Sequence, residues 1–116
     1  MKPEQTIKFT LTTLEKHNGL KDLKPFSCEI AIKFYEHGVD EYSCVVNQFD
    51  VIVENGTKAN TLQKLRTYLD QAMQRRRDCA ISRGFQSFEY ELTDLVASDD
   101  EALFKHADVK AALNIK

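Results

Sequence analysis

Apolar residues alternate with polar ones at Ile7, Phe9 and Leu11, and again at Phe26, Cys28, Ile30, Ile32 and Phe34. A period of two puts every second side chain on the same side of a pleated strand, so both runs predict strands with one buried face. A third run from Tyr42 to Glu54 changes phase: Tyr42, Cys44 and Val46 share one side, while Phe49, Val51 and Val53 fall with Val45 on the other. One strand with a bulge or bend near Asn47 and Gln48 reconciles the two halves.

Asn55-Gly56 closes that strand, and Asn60 followed three residues later by Gln63 predicts a capped helix start. The helix then runs to about Ser82, with Gly84 as its terminator. On a wheel advancing ~100° per residue, Leu62, Leu65, Leu69, Ala72, Met73 and Ala80 form one apolar arc, widened by Tyr68 and Cys79. Gln63, Thr67, Gln71, Gln74 and Asp78 make the solvated face. A further strand follows at Phe88, Tyr90 and Leu92. The spacing of Ser98 and Glu101, with Asp99 and Asp100 between them, then predicts the capped start of a last helix that breaks near Asp108. In that helix Leu103, Phe104, Ala107 and Ala111 share a stripe that Val109 and Leu113 do not.

The order β-β-β-α-β-α predicts an α+β fold: residues 1–116 as a single domain, a mainly antiparallel sheet of about four strands, and the long helix on one face. A chain of 116 residues, 42% of them hydrophobic, suffices for one core and has no Pro/Gly/Ser-rich linker at which to divide. The amino-terminal residues pass directly into alternation, without the apolar run of a signal peptide. No stretch approaches the roughly eighteen apolar residues of a membrane span. Both observations lead us to expect a cytoplasmic protein without membrane contact. Three cysteines, with no CxxC spacing, point to reduced thiols rather than a disulfide framework or zinc site.

A hairpin closed by Gly38-Val39 would set opposite one another residues whose numbers sum to 77. Cys44 would then face Lys33, too far from Cys28 to bridge, although a register shifted by one residue is also compatible with the turn. In this register Ile32 and Val45 belong to the core. On the opposite face Tyr35 pairs with Tyr42 and Ala31 with Val46, and Cys44 lies beside them. Either the last helix packs on that second apolar group, or it is an exposed patch for a partner protein or a second copy of the chain.

The run Arg75, Arg76, Arg77 raises the possibility of a nucleic-acid surface. Residues 58–83 carry a net charge of +5, against −3 for residues 1–56 and −4 for residues 85–116. Three consecutive helical residues nevertheless spread over about 200°, so the run is not one surface. Arg76 falls in the apolar stripe, where a buried guanidinium would need Glu89, Glu91 or Asp94 as its partner. Arg66, Arg75 and Arg77 remain as a sparse basic footprint, on a chain whose overall charge is −2.

Catalytic patterns are missing. His17, His37 and His106 sit in three different elements at no metal-ligand spacing, and Glu89 and Glu91 lie on the polar side of a half-buried strand. The glycines stand at element boundaries and build no phosphate-binding loop. The chain is therefore expected to be a non-enzymatic protein-binding module without metal or cofactor, such as an inhibitor, immunity or adaptor protein of bacterial or phage type. Its candidate contact residues are Tyr35, Tyr42, Val46, Ala31 and Cys44. The alternatives are a nucleic-acid-binding accessory protein using Arg66, Arg75 and Arg77, and an enzyme with scattered catalytic residues.

Overall fold

A computed structural model describes residues 4–17, 24–97 and 103–115. Its elements are β1 (Glu4–His17), β2 (Lys24–Gly38), β3 (Glu41–Val46), a 3-10 turn (Asn47–Phe49), β4 (Val51–Gly56), α1 (Lys58–Ser82), β5 (Phe85–Ala97) and α2 (His106–Ala112). The strands form one antiparallel sheet in the order β4-β3-β2-β1-β5, so the fold is α+β, with five strands among the described residues rather than four.

The fifth strand comes from the run that changes phase. Residues 47–50 reverse the chain instead of bending it: the 3-10 turn ends at Asp50, whose φ of 53° is left-handed, and β4 returns beside β3 with Cys44 opposite Val53 and Val46 opposite Val51. In that register the even-numbered apolar residues of β3 and the odd-numbered ones of β4 face the same side. The phase change is the signature of a hairpin.

One face of the sheet carries the core. Ile7, Phe9 and Leu11 of β1 pack with Ile30, Ile32 and Phe34 of β2, then with Cys44, Val46, Val51 and Val53, beneath Leu65, Leu69, Ala72, Met73 and Ala80 of α1. Phe26 and Cys28 continue the β2 alternation but are exposed, because the three long strands extend past the helix that covers the rest. The helix begins one turn earlier than its apolar pattern suggests. Thr57 is the N-cap, its hydroxyl accepting the Asn60 N–H at 3.2 Å, and Asn60 is the third helical residue. Gly84, at φ 94°, stops the helix as its position implies.

The C-terminal segment differs more. The proposed cap at Ser98 and Glu101 lies outside the described residues. The helix that is described, α2, passes through Asp108 without breaking and buries Val109 and Leu113, while Ala107 and Ala111 are exposed. Phe104 precedes α2 and is buried against the Phe34 ring, centroids 4.3 Å apart, and edge-on to Tyr42 at 5.5 Å. A buried amide fixes its backbone: Gln5 donates from Nε2 to the Phe104 carbonyl at 3.0 Å and accepts the Phe104 N–H at 2.8 Å.

The pairing of β5 with β1 shifts register twice, between Lys16 and His17, where Gln86 is the extra residue, and again near its end. Phe88 and Leu92 turn inward, yet the next inward residue is Leu95 rather than Asp94. Between Lys8 and Thr10 the β1 register shifts by one residue, and Asp94 takes φ 56° as the extra residue of a bulge.

Candidate functional site

The hairpin register decides the fate of the apolar group read from the sequence. The loop is Val39-Asp40, not Gly38-Val39. Asp40 takes φ 54°, a bulge lies between Glu36 and Gly38, and the strands pair with Phe34 opposite Cys44 and Tyr35 opposite Ser43. That one-residue change separates the five candidate residues, since each step along a strand reverses the face. Tyr42, Cys44 and Val46 are core, packed beneath α1 and Phe104, and form no exposed patch. Tyr35 and Ala31 stay on the opposite face, partly exposed. Val45, read as core opposite Ile32, instead joins them there, opposite Lys33 on one side and Ile52 on the other.

Both helices lie on the core face, so the outer face has no helical cover among the described residues. Ile52 is 65% exposed beside the partly exposed Val45, and Tyr35 stands one strand further in. The polar margin is His37, whose Nε2 lies 2.7 Å from the Ser43 hydroxyl, with Glu54 beyond. His37, Ser43, Val45, Ile52 and Glu54 line a shallow open depression. Val45 and Ile52 share this face only through the β3–β4 pairing, which the sequence pattern alone does not disclose.

Burial pushes the Cys44 thiol up to about 12. The folded chain therefore keeps a proton that the unfolded chain loses above the ordinary thiol value of 9.0, and stability should fall as pH rises through this interval. The expected slope is up to roughly 1.4 kcal/mol per pH unit, readable in urea melts of wild type against Cys44→Ala. Cys28 and Cys79 are exposed and should alkylate in the native state, while Cys44 should not.

The arginines divide between two flanks of α1. Arg66 is committed internally: it donates to the Ala112 carbonyl at 3.2 Å and lies 3.8 Å from Asp70. Asp70 in turn accepts the Tyr90 hydroxyl at 3.5 Å, and burial together with this carboxylate raises the Tyr90 pKa. Arg77 lines the β5 side with Phe88 and Glu89, whereas Arg75 and Arg76 line the opposite side with Gln48, Phe49 and Asp50. Arg66, Arg75 and Arg77 therefore form no common surface.

The expectation for Arg76 fails. It is exposed, and its guanidinium lies over the Phe49 ring, 4.6 Å from the centroid, with no carboxylate of β5 as partner. By this stage the apolar stripe has reached the 3-10 turn, so the stem meets an aromatic ring instead of an acid. Arg76→Ala should cost about 0.5–1 kcal/mol in a denaturant melt, the size of an exposed cation–π contact.

Among the described residues no group of three His, Cys, Asp or Glu side chains is placed to hold a metal ion, and no helix is long and apolar enough to cross a membrane. No protein-family model, curated protein or solved structure matches the chain.

Proposed function

We propose that this protein is a non-enzymatic protein-binding module that contacts its partner with the uncovered sheet face around Tyr35, Val45 and Ile52, in the manner of a small inhibitor, immunity or adaptor protein. The observation behind this reading is the one-sided packing. Both helices and Phe104 lie on one face, and the other leaves a large aliphatic side chain, Ile52, mostly in water beside Val45. Exposed apolar groups with a polar margin are a common mark of protein interfaces.

Ile52→Glu and Tyr35→Ser change outward-facing side chains, so both variants should melt like the wild type. Each should weaken binding to a partner captured from the source cell by about tenfold or more, as loss of an interface anchor does. Capture by both variants at wild-type strength would refute the reading. If capture yields the chain itself, the same variants should abolish the dimer in sedimentation.

The split of the arginines speaks against nucleic acid as the partner. Affinity for mixed duplex DNA or RNA should stay in the non-specific range, on the order of 10⁻⁴ M at physiological salt. A micromolar complex that weakens steeply with added salt would reverse the ranking.

A further inference from the structure

The two edges of the sheet are treated differently. An edge strand offers unpaired backbone N–H and C=O groups to any extended chain, and folded proteins usually obstruct them with charges, bulges or a covering element. β5 has all three. Glu89 and Glu91 are exposed along it, Asp94 interrupts it, and α2 packs beside it with His106 donating from Nε2 to the Leu95 carbonyl at 2.7 Å. β4 is obstructed only at its far end: it opens with Val51, Ile52 and Val53, contains no Lys or Pro, and pairs regularly through Val53, beyond which Glu54 is exposed and the register shifts before Gly56. Among the described residues no strand pairs with its outer edge.

The surroundings of this open edge are basic. Arg75 and Arg76 line a notch beside Asp50, the residue just before β4, and neither forms an ion pair among the described residues. Arg76 sets its guanidinium over the Phe49 ring, 4.6 Å from the centroid. A cation–π contact uses none of the guanidinium's hydrogen-bond donors, and these suit an oxyanion held by two hydrogen bonds. Gln48 adds an amide to the same notch, and Asp50 is its one carboxylate.

We propose that β4 is completed by an extended segment of a partner protein that adds to the sheet as a sixth strand and sets an Asp or Glu side chain against Arg75 and Arg76. This rests on the protein-binding reading above and specifies its mode and chemistry. Main-chain pairing supplies affinity in such strand addition, and the side-chain contacts supply selectivity. A second copy of the chain fits less well, because pairing β4 with its own counterpart would bring two arginine notches to one interface with no acidic strand between them.

The probe is a displayed library of random linear peptides about ten residues long, enough for one strand and its flanks, selected against the full chain. Enriched peptides should alternate apolar positions and carry Asp or Glu. The amides of β4 should gain protection from hydrogen exchange in the complex. Arg75→Glu with Arg76→Glu should weaken a selected peptide by at least about tenfold, as reversal of a charge-assisted contact does, while the variant stays folded and its melt shifts no further than that of Arg76→Ala. Enrichment of neutral or basic peptides, protection on β5 instead, or indifference to the charge reversal would each overturn the proposal. Failure of the wider reading has a different signature: a captured partner that ignores Ile52→Glu and Tyr35→Ser.

Discussion

Phe104→Ala lowers the unfolding free energy by about 3–5 kcal/mol, the scale of a large-to-small change at a buried aromatic. The ring is 2% exposed and sits between Phe34 and Tyr42, with the Lys58 ammonium 5.9 Å from its centroid. Its removal opens a cavity between the sheet and the C-terminal segment, where few other contacts are available to close it. Urea melts followed by circular dichroism give the value. A loss under about 1 kcal/mol, the level of ordinary surface changes, would mean that the segment does not hold this position in solution.

Gln5→Leu gives the second large loss, about 2–4 kcal/mol, for a different reason. Leucine is close in size and apolar, so packing changes little. The Phe104 N–H and carbonyl nevertheless lose the amide that accepts from one and donates to the other. Each buried backbone group left without a partner costs about 1–3 kcal/mol. Gln5 and Phe104 hold the same segment, so the double variant should lose less than the sum of the single losses. Full additivity would show that the amide and the ring act on separate parts of the molecule.

Neither residue stands out in the sequence, because the link between Gln5 and Phe104 spans 99 positions. What the sequence did disclose follows from local rules. Period-two runs placed β1, β2 and the start of β5, and the wheel of α1 selected five of its six buried residues, with Thr61 in place of Leu62 as the sixth. Thr61 escapes a hydrophobic count because its hydroxyl is satisfied by the Tyr42 carbonyl at 3.4 Å.

The differences in strand number and hairpin register share one physical source. Glycine is the residue that marks a turn in a sequence, but the left-handed positions that fix the strand connections and the bulge are Asp40, Asp50 and Asp94, at φ 53–56°. Aspartate tolerates this region better than most residues and gives little warning of it in a sequence. At Asp40 the consequence is a one-residue change of register, enough to move Tyr42, Cys44 and Val46 from the imagined surface into the core. At Asp50 it is the division of one expected strand into two. The outer-face site was legible only to the extent that Tyr35 and Ala31 are on it; Val45 and Ile52 required the true pairing.

Asp94 also bears on how this strand tolerates a change in length. Thr93 is opposite Thr10 and Val96 is opposite Lys8, so two residues of β5 span the single position of Phe9. Removing Asp94 alone would bring Leu95 opposite Phe9 and leave each later partner as it stands, with every side chain on its present face. Losing any other single residue from the paired stretch between Phe88 and Thr93 would reverse the faces between that point and the bulge. The bulge thus marks a place in the strand where a codon can be lost while the hydrophobic core keeps its membership.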